Sequence, residues 1–385
     1  MRKPSGTGVF VVTGVAAVMW GAILLVIAGL RFGGDLRGFL FLGTAFRHPA
    51  ALAGAPGYGA QGYDGQFYAA LATDPLMLRQ DTSQTVDAPR YRGIHVLVPL
   101  AAWLLGAAQP ALAVRMYQAL CWLLALAAIY LAADWLREHD RSPWWALLLV
   151  PNAGIATSVL RSTPDAAAVA LVLAALWAYR RERRGLAIAA LVAATLTRET
   201  MILAAGAVAY LEHTAGRSRQ AVRYVALPGA ALAAVMLWRL VTVPAGWLLG
   251  GSYDVPFLWV LQKVDQMLAA NIKITSIELW GFLALIAALA GLAAFGRAET
   301  SFTAEELVFL VFMVVSWTFS FAVYVDVYGY ARALMPLPFF ALLIAASHED
   351  AVKRYVLLLG PAAFAFVGLL MIRAEVKAAM LVSHG

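Results

Sequence analysis

The run Val9-Phe-Val-Val-Thr-Gly-Val-Ala-Ala-Val-Met-Trp-Gly-Ala-Ile-Leu-Leu-Val-Ile-Ala-Gly-Leu30 decides what kind of chain this is. It holds no charged residue over about the ~20 positions a helix needs to cross a bilayer. It is too long for a signal-peptide core and has no small-x-small cleavage site. With Met1-Arg-Lys before it, it reads as an uncleaved first span whose N-terminus lies in the cytoplasm.

The composition generalises that reading. Of 385 residues, 62% are hydrophobic and 13% charged, against roughly 45–50% and about 25% in soluble domains. The apolar residues come in long blocks separated by short charged clusters, the pattern of a polytopic helical membrane protein. The expected fold class is all-α, a single membrane domain over residues 1–385 with ten to twelve spans, short and half spans included. The formal charge of +7 collects at block ends, where orientation and anionic lipid account for it without nucleic acid. The single Cys121 supports neither a disulfide framework nor a cysteine metal site.

Residues 31–92 form the one long hydrophilic segment, expected outside and expected to contain short helices. Its densest part is Ala60-Gln-Gly-Tyr-Asp-Gly-Gln-Phe-Tyr-Ala-Ala-Leu-Ala-Thr-Asp-Pro75. The glycines predict a tight turn presenting Asp64. Phe67 and Leu71 then predict a short helix lying on the membrane surface, stopped by Asp74-Pro75. Gly57-Tyr-Gly-Ala-Gln-Gly62 matches G-x-G-x-x-G, but no strand precedes it and no βαβ unit surrounds it, so these are turn glycines rather than a dinucleotide site.

Further along, Gly93–Gly106 reads as a half-span, Ala111–Leu136 as a full span, and Trp144–Leu160 as a span loosened at Pro151-Asn152. Ser142-Pro143 and Thr163-Pro164 mark helix starts. Residues 185–212 make either one span with Arg198-Glu199 in its middle or two short spans meeting there. A charge at mid-membrane costs at least ~2.5–3.5 kcal/mol. Two short helices avoid that, and they keep both Arg180–Arg184 and Arg217–Arg223 inside. Tyr224–Leu249 then crosses outward. An interfacial amphipathic helix is expected within 250–274, with Trp259 at headgroup level. Ile277–Phe295 crosses inward, Thr303-Ala-Glu-Glu306 is a capping box opening the next helix, and the last spans cover Ala333–Ala346 and Tyr355–Ile372.

This topology gathers Arg161, Arg198 and Arg332 at the outer surface beside Asp64, with Arg115 and Arg239 in the outer parts of their helices. Arginine pairs with phosphate bidentately and keeps its charge when partly desolvated, and the amides of the helix start after Thr163-Pro164 favour an anion as well. An anionic lipid head group suits such a basin. Each arginine also has a plainer reading as a snorkelling helix-end residue. Asp165 reads first as a helix-dipole partner, Glu199 as the ion-pair partner of Arg198, and His48 and His95 as core or surface residues. Asp35, close to the exit of the first span, is a rival to Asp64.

The stretches Asp64-x-x-x-Tyr68, Arg161-Ser-Thr-Pro-Asp165, Leu196-Thr-Arg-Glu-Thr200 and Tyr330-Ala-Arg-Ala-Leu-Met-Pro336 together resemble the polytopic glycosyltransferases of the GT-C fold. Tyr63-Asp-Gly-Gln-Phe-Tyr68 with Leu71-Ala-x-Asp-Pro75 is similar to a bacterial subgroup linked to cell-surface glycopolymer formation. The resemblance implies an enzyme of the bacterial inner membrane, with its active site facing the periplasm. It would transfer a sugar from a polyprenyl-phosphate carrier to a glycan or lipid-linked acceptor, with inversion and with no metal or other cofactor. Asp64 would be the general base. Tyr63, Gln66, Tyr68, Arg161, Asp165, Arg198, Glu199, Arg239 and Arg332 would bind substrate. Many relatives place an acidic residue directly after the catalytic one, whereas Gly65 follows Asp64, which leaves Asp35 open as the base. A non-enzymatic transporter or flippase for lipid-linked sugars, or an accessory subunit of a glycopolymer complex, is the alternative.

Overall fold

The computed structural model describes residues 6–243, 253–273, 276–291 and 302–382. The described residues form helices joined by turns, with no strand beyond the isolated bridges Leu42–Gly57 and Tyr253–Phe319. Four helices are long and apolar enough to cross a membrane: Gly6–Phe32, Pro110–Glu138, Ser218–Thr242 and Ala351–Val382. Two bent pairs raise the count to six, Pro143–Leu149 with Ala153–Leu160 at 63° and Val327–Ala333 with Pro336–Ser347 at 47°. Arg184–Thr197 and Ile277–Ala290 are shorter apolar helices. The chain is an all-α polytopic membrane protein, with four to six candidate spans and two shorter apolar helices among the described residues, against the ten to twelve expected with short and half spans included.

The breaks fall where the backbone chemistry demands them. The bend between Leu149 and Ala153 falls at Pro151, and the helix restarts after Asn152, whose side chain accepts from the Gly154 amide at 2.9 Å, an N-cap. Thr303 and Glu306 form the capping box in both directions. The expected crossing Tyr224–Leu249 is the helix Ser218–Thr242, and 244–249 lie outside the described residues. Ile277–Phe295 is seen as Ile277–Ala290, with 292–295 outside them.

Side-chain pairs at the two ends of the bundle decide the path of residues 185–212. At one end Tyr179 donates to Glu212 at 3.0 Å, and Arg217 pairs with the same carboxylate at 2.8 Å. Arg137 and Arg181 engage Asp134 and Glu138 at this end too, and Arg141 donates to the Ala346 carbonyl. At the opposite end Arg198 pairs with Asp165 at 2.7 Å. Arg184–Thr197 therefore runs from the first end to the second, and Ile202–Thr214 returns. These are two short helices. At ~1.5 Å per residue neither covers the ~30 Å hydrocarbon alone, so the turn joining them is set into the bundle, and Arg198 is buried there.

Two expectations need correction. The helix after Asp64, Gly65–Thr73, does not lie on a surface, because every one of its residues is buried. It is inserted between Leu97–Leu105 and Pro110–Glu138. Phe67 and Leu71 fill one side, and Ala69, Ala70 and Ala72 let neighbouring backbones approach the others. In Leu258–Ala269, Trp259 is not at an interface. It is fully buried and stacked on Tyr324 at 3.9 Å, and buried Lys263 reaches Glu278 at 2.9 Å. The bare apolar stripe of that helix is Leu261, Val264 and Leu268, the side left for lipid.

The two-helix path has a direct check, since the one native thiol, Cys121, is buried. In a Cys121→Ser background, Ala53→Cys and Ser218→Cys should react with a membrane-impermeant maleimide from opposite sides of sealed vesicles. Labelling of both from the same side would exclude this arrangement.

Candidate functional site

Asp64 occupies the N-cap position of Gly65–Thr73, yet its side chain makes no capping bond. The carboxylate is drawn elsewhere. Oδ1 accepts from Arg92 Nη2 at 2.9 Å, and Oδ2 meets Arg332 Nη1. Arg92, on the short helix Pro89–Gly93, is held from its other side by Asp87 at 2.8 Å and lies over the Phe67 ring at 4.6 Å. Arg332, on Val327–Ala333, lies over Tyr63 at 5.3 Å. Burial would raise the Asp64 pKa, but the charges of Arg332 and Arg92 outweigh it and hold the carboxyl far below the usual carboxylate range. The linkage sign follows. The ion pairs contribute their full stability above the ordinary carboxyl pKa of ~4 and lose it progressively as the pH falls from there through the lowered value.

A second layer stands beside this clamp. Arg198 bonds Asp165 through Nη2, and through Nη1 it donates to the Tyr68 hydroxyl at 3.1 Å. Tyr68 is 2.9 Å from His95 Nδ1, and His95 Nε2 meets Glu199. With Tyr68 accepting from arginine, its own proton goes to Nδ1, which leaves His95 Nε2–H to donate to Glu199. Tyr91 donates to the other Glu199 oxygen at 3.4 Å. Of these groups Asp64, Tyr91, Arg92, Asp165, Arg198, Glu199 and Arg332 line a cavity of about 230 Å³, to which Tyr253 and Phe319 add apolar surface.

The turn carrying Asp64 is built by close backbone approach. Gln66, expected at the substrate, instead ties the turn together, accepting from the Gly43 amide at 2.8 Å and donating to the Gln61 carbonyl at 2.9 Å. At Gly65 a Cβ would stand 2.1 Å from the Arg161 carbonyl. The resemblance leads one to expect an acidic residue at that position, and this contact shows why the chain has glycine. The facing turn is itself strained, with Ser162 at φ 47°, a costly region for a non-glycine residue. Tyr117 donates to the Ser162 carbonyl at 2.7 Å and holds it.

Of the expected site residues, Asp64, Asp165, Arg198, Glu199 and Arg332 line the cavity, and Tyr68 and Tyr63 pack directly behind them. Others have different work. Arg161 turns away to pair with Glu375, lies over the Phe41 ring at 3.7 Å, and is absent from the lining. The helix start beside it offers one amide fewer than expected, because Ala166 N donates to Ser158 Oγ. Arg239 is fully buried and gives its donors to the carbonyls of Pro75, Leu76 and Gly93. It fastens the loop rather than a ligand. Arg115 is exposed. Asp35 caps its own turn and pairs with Arg37 at 2.7 Å, outside the cavity. Glu199 pairs with His95, not with Arg198, whose partner is Asp165. His48 Nε2 donates to the Gly43 carbonyl at 3.0 Å and plays no part in the cavity. Sequence reading missed Arg92, Tyr91 and His95. No sequence spacing connects Tyr91 or Arg92 to Asp64.

Among the described residues no three His, Cys, Asp or Glu side chains are grouped as metal ligands. The site is an alternation of guanidinium and carboxylate, able to hold an oxyanion at one wall and to receive a proton at another.

Three substitutions test this architecture. Arg198→Gln leaves Asp165 charged and buried without its partner and should destabilise by ~3–5 kcal/mol. Asp165→Asn in the same chain should recover much of that, read as Tm in detergent. Gly65→Ala should lower stability by roughly 1–3 kcal/mol through the overpacked Arg161 carbonyl.

The chain matches no family model, no curated protein and no solved structure.

Proposed function

We propose that this protein is a membrane glycosyltransferase that moves a sugar from a polyprenyl-phosphate carrier to a cell-surface glycopolymer or lipid-linked acceptor. The observation that carries the reading is the meeting of one first-loop carboxylate, Asp64, with Arg92, Arg198 and Arg332 around a single cavity. Guanidinium groups hold phosphate oxygens bidentately and stay charged in a water-poor site. A glycosyl phosphate already has a good leaving group, so the protein's tasks are to neutralise the phosphate and accept a proton.

In the proposed reaction the acceptor hydroxyl oxygen bonds to the anomeric carbon from the face opposite the phosphate. The carbon–oxygen bond to phosphate breaks, and its electron pair leaves on the phosphate oxygen, held by arginine. The hydroxyl proton passes to Asp64. One displacement gives inversion. The donor brings its own leaving group, and the scheme needs no cofactor. Arg137, Arg141, Arg180, Arg181 and Arg217 gather at the bundle end opposite the cavity. The positive-inside rule makes that end cytoplasmic, which supports an active site facing the periplasm of a bacterial inner membrane.

Purified protein in vesicles with a polyprenyl-phosphate sugar and acceptor should release the sugar from its carrier. Asp64→Asn should lower the rate by ~10²–10⁴, the share supplied by a general base, while the protein stays inserted and folded. Translocation of the donor without release would make this a transporter, and lipid binding with no turnover would make it an accessory subunit. Full activity in Asp64→Asn would remove Asp64 from the chemistry.

A further inference from the structure

We propose that in the resting protein the Asp64 carboxylate sits in the seat of the ligand's anionic group, and that an entering phosphate ester takes Arg92 and Arg332 from it. The ligand class rests on the function proposed above; the exchange itself rests on the geometry.

Three guanidinium groups line the cavity, Arg92, Arg198 and Arg332, and so do three carboxylates, Asp64, Asp165 and Glu199. The cavity is balanced in charge. An incoming anion gains a guanidinium only where a carboxylate gives one up, because an unpaired extra charge in such surroundings is expensive. The three carboxylates differ in how readily they can do so. Glu199 has no guanidinium to surrender, being bonded to His95 and Tyr91. Asp165 holds Arg198, whose second nitrogen is fixed on Tyr68. Asp64 holds two arginines, one on each oxygen, the same arrangement in which two oxygens of a phosphate would receive them.

The arginines are also prepared for the exchange. Arg92 keeps Asp87 on its far side, and Arg332 keeps the face of Tyr63, so neither is stranded when Asp64 lets go. A second observation points to a ligand at this place. Asp165 Oδ2 and Arg198 Nε are buried on the cavity wall with no hydrogen-bond partner, and unsatisfied groups of this kind are rare in a finished interior. A phosphate oxygen would accept from Arg198 Nε. A hydroxyl would donate to Asp165 Oδ2.

The exchange orders the chemistry. While both its oxygens lie on guanidinium, Asp64 is a poor proton acceptor, its pKa held far down by Arg332 and Arg92 against the opposing effect of burial. Once the phosphate draws the arginines over, Asp64 loses the charges that hold its proton affinity down, and taking the acceptor's proton then removes the unpaired charge, so its basicity rises when the leaving group is in place and not before. Binding of the donor thereby makes the base.

The consequence runs against the usual expectation for a site residue: removing Asp64 should tighten anion binding. The test uses full-length protein in neutral detergent, with geranyl phosphate as probe and geraniol as its uncharged control, measured by isothermal titration. Asp64→Asn should bind geranyl phosphate roughly ten- to a hundredfold more tightly than wild type. Geraniol affinity should not move, and adding Arg332→Gln should cancel the gain. Asp64→Ser serves the same purpose if the Asn variant unfolds at lower temperature. Equal or weaker binding in the variant, an equal gain with geraniol, or no geranyl phosphate binding by either protein would overturn the exchange. A gain in affinity without sugar transfer by wild type keeps the exchange and drops the transferase. Transfer that depends on Asp64 with no gain in affinity does the reverse.

Discussion

Carboxylates and guanidinium groups buried together impose the constraint on which this structure turns. An isolated charge taken from water costs several kcal/mol or more, so each of these groups persists only where a partner reaches it. Asp64 needs Arg92 and Arg332, and Asp165 needs Arg198. The partners come from parts of the chain that share no local structure. Satisfying the charges therefore pulls the first loop, the Arg198 turn and the bent helix at Arg332 into one place. The cavity is what remains between them.

Other buried charges keep that meeting point from drifting. Glu375, near the end of the last long helix, accepts from both Arg31 at the end of the first and Arg161 in the turn facing Gly65. Phe41 and Tyr328 enclose the Arg161 guanidinium. Arg239 does for the loop what Glu375 does for the helices, collecting the backbone carbonyls of Pro75, Leu76 and Gly93. These contacts help explain why the helix Gly65–Thr73 of so polar a first loop lies inside the bundle. Its backbone is held by side chains that could equally have served a ligand, and two residues expected at the ligand, Arg161 and Arg239, are occupied this way.

Much of the fold was legible because membrane helices advertise themselves locally. Uncharged length marks Gly6–Phe32, Ser142-Pro143 and Pro151-Asn152 mark the bent pair, and Thr303 with Glu306 marks a helix start. The two short helices meeting at Arg198 followed from the cost of charge in hydrocarbon. The helix after Asp64 was legible in its existence but not in its depth. An alanine-rich segment with two large apolar residues looks the same in sequence whether it lies on lipid or is enclosed by neighbours. Trp259 misled for a related reason, since a tryptophan beside polar residues suits a headgroup layer as well as a stack on Tyr324.

By itself the sequence determined the class of protein, the ends of most helices, and the distinction of Asp64 as a carboxylate in a turn too rich in glycine and aromatics to be a mere connection. Periodicity, hydropathy and capping act over a few residues, so they can be read one stretch at a time. Only the tertiary structure decided which arginine meets which acid: Arg92 rather than Arg161 at Asp64, Asp165 rather than Glu199 at Arg198, and His95 at Glu199. Ion pairing acts through space and carries no sequence spacing. The order of charges along the chain leaves many pairings open until the packed helices select one.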